Sequence, residues 1–450
     1  MPNTIAYLSL LIWPLISIFI FKKFSIVVAS SLTIVLGYLI LPVNTAIDLP
    51  AIPPLSKEAL SSIAALSGLI LIKRVKVHLF TSNKLFSVVL IILVVVLPFL
   101  TVITNFDPVY NGQVWVKGLA LYDAFSMSIN RYLHYLPLII GFSIIRTHKD
   151  HVDLFKVIFL LGLIYIFPAL FEIRMSPQLH TWIYGFFPHS FIQQIRYDGF
   201  RPVVFLGHGL LVGMFFCISF LSGFIVRGSI KAIPAKISLS AIVGLFITLI
   251  LSKTLSSLFL AALGLLILIL FRKNTKNITT IAFILAATVL AYPILSIFNL
   301  FPHQDLIDLF SKLDPARGGS LWFRFYHESI LLDHANLKML FGWGGWGRNR
   351  LWDSITDGAW IIIYGQNGFI GFFMVFLIPL LAVYKTINLQ SSKYVKADEV
   401  YLLAGHSLII ALLLIDQIPN ASISPYFWLL IGGLWGRIEH IRSRPHANDM

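Results

Sequence analysis

The chain has 450 residues, of which 58% are hydrophobic and only 12% charged, and its mean hydropathy is +0.85. A soluble domain carries about 25% charged residues, so this chain lacks the polar surface needed to cover a particle in water, and lipid is its outer solvent. The net charge of +14 does not point to nucleic acid, because the basic residues sit in short clusters between apolar runs, with no basic tail and no aromatic-basic RNA motif.

A membrane span needs about 20 apolar residues, fewer where neighbours bury its ends. In chain order the candidate segments are 4–21, 25–41, 59–72, 85–104, 121–145, 152–171, 203–226, 237–252, 254–271, 279–298, 360–384, 400–418 and 425–435. The expected fold is all-α, a polytopic transmembrane helical bundle of about 12–13 spans forming one membrane domain over 1–450. Segments 59–72 and 425–435 are the shortest. No basic region precedes the first run, no small-residue cleavage site follows it, and Lys22 and Lys23 come after it. That pattern reads as a retained first span with its N-terminus outside. Alternate loops hold the basic clusters: Lys22/Lys23, Lys73/Arg74/Lys76, Arg146/Lys149, Arg227/Lys231/Lys236, Arg272/Lys273/Lys276, Lys385/Lys393/Lys396 and Arg437/Arg442/Arg444. By the positive-inside rule that side is cytoplasmic, and so is the C-terminus. The single cysteine, Cys217, lies in an apolar run and offers neither a disulfide framework nor a Cys-based metal site.

Two segments expected outside are long, 172–202 and 299–358. The larger holds Lys312, Arg317, Arg324, Lys338, Arg348 and Arg350, and its stretch 320–340 has the polar spacing of an interfacial helix. The smaller holds Arg174, Arg196 and Arg201. Guanidinium groups grip phosphate oxygens bidentately, so arginines gathered at a membrane boundary suggest a lipid-linked phosphate or diphosphate; contact with lipid headgroups or nearby acids is the plainer reading. Lys253, in a tight turn between two spans, either snorkels to the interface or points toward the same anionic site. His208 is either functional or bonded to a backbone carbonyl, and His406 and Asp416 read as helix–helix contacts. In Gly342-Trp-Gly-Gly-Trp-Gly347 the glycines permit turns, and Trp343 and Trp346 suit an interface or a sugar face. The segment is not a nucleotide loop, having no strand before it and no Lys-Ser/Thr after it. Asp357 is either a helix cap or a carboxylate able to take a proton from a sugar hydroxyl. No HExxH or paired-acid metal motif occurs in either loop.

Three stretches resemble the bacterial O-antigen ligase and O-antigen polymerase superfamily. They are 196–209, with Arg196, Arg201 and His208; 249–256, where Lys253 stands in place of an arginine; and Arg324 through the Gly-Trp-Gly segment to Asp357 and Gly371. The resemblance covers roughly the second half of the chain. It implies a metal-independent glycosyltransferase of the bacterial cytoplasmic membrane, without cofactors, using an undecaprenyl-diphosphate-linked oligosaccharide at the outer face. A glycan acceptor and a chain-length regulator are its further implied partners. Where the ligase branch has His-Asn, this chain has Asp357-Gly358. That directs the expectation to a polymerase or a related exopolysaccharide-assembling enzyme, with His327 or His334 as the base if it were a ligase. In this reading Arg196, Arg201 and Arg324, joined by Lys253, hold the donor diphosphate, Asp357 serves the acceptor hydroxyl, Trp343 and Trp346 stack on sugars, and His208, Arg317, His327, His334 and Arg348 complete the substrate-binding set. The competing class is a transporter or lipid-linked oligosaccharide flippase, which calls for midplane charges and related halves. A polyprenyl-phosphate-sugar transferase calls for an early acidic pair, and 43–57 offers only Asp48, 105–117 only Asp107.

Overall fold

Backbone polar groups in lipid must be satisfied internally, and long apolar runs achieve this as helices. The computed structural model describes residues 1–49, 52–77, 84–111, 114–196, 198–229, 238–351, 354–355, 357–390 and 396–443. A helix lies over each of the thirteen expected segments. The helices are α1 (Thr4–Lys23), α2 (Ile26–Ile40), α3 (57–72), α4 (Lys84–Ile103), α5 (Leu121–Ile144), α6 (His148–Met175), the short α7 (Leu179–Tyr184), α8 (Gly209–Ser229), α9 (Leu239–Leu251), α10 (Leu255–Leu270) and α11 (Thr275–Ile297). They continue with α12 (His303–Leu313) and α13 (Pro315–Asn336) in the large loop, then α14 (Ala359–Leu389), α15 (Ala397–Asp416) and α16 (Pro425–Arg442). Seven of them, α1, α4, α6, α8, α11, α14 and α15, are long and apolar enough to cross a membrane, which makes the chain a multi-pass membrane protein. Lys231, Lys236, Lys393, Arg444 and the side chain of Arg317 lie outside the described residues.

α1 turns Ile5, Leu8, Leu11, Leu15 and Phe19 outward, as a lipid-facing helix does. α16 is the opposite case, with Leu429, Leu430 and Leu434 fully buried. Its short apolar run is explained by that burial, since neighbouring helices cover it and lipid does not set its length. It crosses α5 on glycines: a Cβ at Gly432 would lie 2.0 Å from the Leu138 carbonyl oxygen and one at Gly436 2.3 Å from that of Phe142. Small residues thus set this close approach. π-helical turns interrupt α2 at Leu32–Leu36 and α4 at Ile92–Val96, and one at Gly68–Ile72 ends α3.

The long loops gather at one end of the bundle. There Asn44 Nδ2 donates to the Pro188 carbonyl (2.9 Å), Lys253 Nζ to that of Arg196 (2.9 Å) and Lys338 Nζ to that of Thr104 (2.6 Å). The other end collects basic residues: Arg437 pairs with Glu399 at 2.7 Å and reaches the Arg146 carbonyl at 2.6 Å, while Lys385 pairs with Glu439 at 3.1 Å. Three short hairpins cover the loop end, pairing Ala46–Leu49 with Ile52–Ser56, Val109–Asn111 with Val114–Val116, and Ile195–Arg196 with Gly199–Phe200. The sequence pattern does not announce them.

Candidate functional site

The predicted site residues fall into separate groups. The first is built on the hairpin before α8. Glu172, at the end of α6, accepts from the backbone N–H groups of Val203 and Val204, both at 2.7 Å, and pins the approach to α8. Residues 203–208 are consequently turn, and the helix starts at Gly209, later than the expected 203. The Arg201 side chain is buried, with Nη2 donating to the Lys253 carbonyl at 3.4 Å, whereas Arg196 is exposed. Lys253 therefore ties its turn to this hairpin, a third role beside snorkelling or facing an anionic site. His208 sits edge-on to His189 at 4.9 Å, and its Nδ1 accepts from the Leu210 N–H at 3.1 Å. Burial, with His189, Arg201 and Arg196 around it, pulls its pKa down to about 4. His208 is thus neutral, and its bond goes to a backbone N–H where the sequence suggested a carbonyl.

The second group corrects an expectation. Arg348, His334 and Trp343 do not face a ligand space. Arg348 is buried and donates to the carbonyls of Trp343 (3.2 Å), Lys117 (2.8 Å) and Asp107 (2.9 Å) and to Asn105 Oδ1 (3.4 Å). His334 stacks parallel on Trp343 at 4.5 Å, its Nε2 bonds the Arg348 carbonyl oxygen, and Trp343 Nε1 donates back to the His334 carbonyl. Bonded to one another and to the surrounding backbone, these three form a clasp. The clasp holds a break in α14, where Gly368 has φ 65° and ψ −173°. The Trp343 and Gly344 N–H groups donate to the freed carbonyls of Gly365 and Gln366, and Phe369 N–H donates to the Met339 carbonyl. The chains cross at backbone distance: a Cβ on Gly342 would lie 2.5 Å from Asn367 N, and one on Gly368 2.3 Å from Leu340 C. The Gly-Trp-Gly segment is thus a backbone insert into a broken helix, and Trp343 is not available for sugar stacking.

The third group does come together. Arg324 and His327 on α13 and Asp357 just before α14 line a cavity of about 370 Å³. Its remaining wall is largely aliphatic and aromatic, including Phe323, Leu331, Ile361 and Ile415. Arg324 Nε stands 3.7 Å from Asp357 Oδ2, with both side chains nearly half exposed. Arg324 also reaches the Pro419 carbonyl at 3.4 Å. The N-cap position of α14 is Gly358, so Asp357 is not the cap and faces Arg324 instead. His327 Nδ1 accepts from Ile355 N–H at 3.4 Å. Glu328, at the same cavity, takes the hydroxyl of Tyr292 and lies 3.8 Å from His303. Such a site offers a lipid-compatible wall with one guanidinium and two carboxylates, of which Asp357 faces the guanidinium and Glu328 is taken by Tyr292.

A larger cavity, of about 660 Å³, lies across the first turns of α14. Gly358 and Ile361 line the smaller space, whereas Ala359, Ile362 and Ile363 line this one. Sequence reasoning missed its main residues, Arg131, His134 and Glu58, although for Arg131 and His134 an ionisable group inside an expected span was the available signal. Of the predicted set only Trp346 borders it. Arg196, Arg201, His208 and Lys253 line neither cavity. His406 is a helix–helix contact, its Nδ1 lying 2.8 Å from His151 Nε2, whereas Asp416 accepts from Asn420 at 2.8 Å and from Ser422 at 2.5 Å in the turn that follows its own helix. The chain matches no protein-family model and no curated protein.

Proposed function

We propose that this protein polymerises or transfers a lipid-diphosphate-linked glycan at the outer face of a bacterial cytoplasmic membrane, as the resemblance to the O-antigen ligase and polymerase superfamily suggests. The observation that carries the reading is the Arg324–Asp357 pair at the edge of an apolar cavity. A polyprenyl chain would lie in the apolar space with its diphosphate against Arg324. The acceptor hydroxyl oxygen attacks the anomeric carbon and its proton passes to the Asp357 carboxylate. The bond from that carbon to the diphosphate breaks with inversion, and the leaving diphosphate keeps the electron pair, its charge met by the guanidinium.

At 3.7 Å and nearly half exposed, the ion pair is worth at most about 1 kcal/mol, so substrate opens it cheaply. The basic end opposite the loops supports a bundle of about 13 spans with that end cytoplasmic and the cavities outside. The test is sizing of surface polysaccharide and of lipid-linked repeats in cells carrying Arg324→Gln. Short chains with accumulated repeat units support a polymerase. Long chains that stay lipid-linked support the ligase alternative, and full-length surface polymer overturns the role of Arg324.

The broken α14 and Arg131 within α5 favour a second reading, a transporter or flippase, because interrupted helices and intramembrane charges characterise transport sites. Flipping of a lipid-linked oligosaccharide by purified protein in vesicles, undiminished in Asp357→Asn, would decide for it.

A further inference from the structure

The larger cavity is built from chemistry that the donor site does not use. Its walls come from α3, α5, α14, α16 and the glycine-rich segment, and six of its residues matter here: Glu58, Asn130, Arg131, Trp346, Gln366 and Asn367. Arg131 donates through Nη1 to the Leu93 carbonyl at 3.0 Å and through Nη2 to Asn367 Oδ1 at the α14 break. A guanidinium has five N–H donors, so these two bonds leave donors over. Among the described residues no carboxylate lies within ion-pair distance of Arg131. Glu58, on the α3 wall, accepts from the Ser56 hydroxyl at 2.6 Å. A guanidinium inside a membrane bundle without an acid partner calls for an anion from elsewhere.

The remaining groups describe that anion's carrier. Three side-chain amides, of Asn130, Gln366 and Asn367, offer paired donors and acceptors of the kind that sugar hydroxyls engage. Trp346 borders the cavity, is 54% exposed and holds φ at 57°, a left-handed conformation that costs a bulky residue. About 660 Å³ is the size of an ordinary small-ligand site and admits more than one pyranose ring. We infer that the larger cavity binds a saccharide bearing an anionic group, a carboxylate or a phosphate, with Arg131 meeting the charge, the amides the hydroxyls and Trp346 a sugar face. The identification of the carrier as a saccharide rests on the reading of this chain as a glycan-handling protein; the anion site itself follows from the cavity. In that reading it is the specificity pocket, and the glycan handled is acidic.

The single native cysteine, Cys217, is buried, which gives a quiet background for thiol chemistry. Asn130→Cys in purified protein in nanodiscs places one thiol on the cavity wall beside Arg131. Its labelling rate with an anionic (sulfonatoethyl) methanethiosulfonate should exceed that with a cationic (trimethylammonioethyl) one by about fivefold after correction for their free-thiol rates, since a fixed charge concentrates its counter-ion in a cleft. Arg131→Gln in this background should abolish the preference, and Arg324→Gln should keep it. Equal rates in the parent, or a preference that survives Arg131→Gln, overturn the proposal. Should Arg131→Gln fail to fold, Glu58→Gln should enlarge the preference, and an unchanged or smaller one overturns it. Galacturonic acid or glucose 1-phosphate should slow labelling where galactose at the same concentration does not. The first marks a carboxylate ligand and the second a phosphate; protection by neither, or equal protection by galactose, overturns the saccharide assignment. Labelling needs no turnover, so this experiment can fail while Arg324 and Asp357 still build polymer, and the reverse.

Discussion

Oδ2 of Asp357 stands 3.7 Å from Nε of Arg324, joining the end of the long loop to the first half of α13. Both side chains are nearly half in solvent, which separates their importance for chemistry from their importance for folding. Exposed pairs contribute about 0–1 kcal/mol, so Arg324→Gln and Asp357→Asn should leave the thermal midpoint in detergent almost unchanged. Loss of a donor that stabilises a developing negative charge costs about 10²–10³ in rate, and polymer yield should fall accordingly. A variant that loses polymer only because it unfolds would show a lowered midpoint, and that result would remove both residues from the chemistry.

Arg348 makes the opposite prediction. It is buried, and four of its bonds go to carbonyl or amide oxygens, those to Trp343 and Asn105 being buried as well. Arg348→Gln should lower stability by about 3 kcal/mol or more, because four acceptors, two of them buried, lose a charged donor at once. Arg348→Lys should not rescue it, since an ammonium cannot span the same fork. The check is a melting curve of each purified variant; a midpoint within a degree of the parent would show that the clasp is dispensable.

How much of this was legible follows from what lipid demands. A span must be apolar over nearly its whole length, so the segments that became α1, α4 and α8 were visible as uninterrupted runs. The break in α14 was not, because Gly368 lies in a run of glycines and aromatics that also suits an unbroken helix, and its partner, Gly342, is distant in the chain. The loops misled in another way. Arginines were read as one electrostatic cluster, yet charge in a sequence says nothing about whether backbone carbonyls wait for it. Arg348 found four oxygen acceptors, Arg324 found an acid, and Arg201 turned toward Lys253. Arg131 escaped notice because it sits beside Asn130 and Tyr132 in a run read only for its length.

The break itself is testable. Gly368 combines φ of 65° with a neighbouring carbonyl carbon 2.3 Å from where a Cβ would stand. Gly368→Ala adds a clash with backbone to a disfavoured dihedral, and the crossing with 340–344 has to open. We expect a loss of about 3 kcal/mol or more, seen as failure to reach a monodisperse detergent-purified state. Ordinary yield and an unchanged midpoint would mean that α14 accepts a straight conformation, and the clasp would lose its stated purpose.

His208 supplies the pH dependence. Burial among His189, Arg201 and Arg196 holds its pKa near 4, below the usual 6.5. The folded form therefore binds a proton less readily than the unfolded form, so stability is full above pH 6.5 and falls as pH drops toward 4. Below about 4 both forms are protonated and this contribution changes no further. Gln in place of His208 removes the titration while keeping a polar side chain in the turn before α8. Melting midpoints of parent and His208→Gln measured from pH 7.5 down to 4 should converge or cross as the parent weakens. The turn must take up a cation between two arginines and a second histidine, so the loosening should begin at residues 203–210, read as faster amide exchange there than in α8. A constant offset between the two proteins across that interval would mean that water reaches His208 and that its neighbours do not govern its charge.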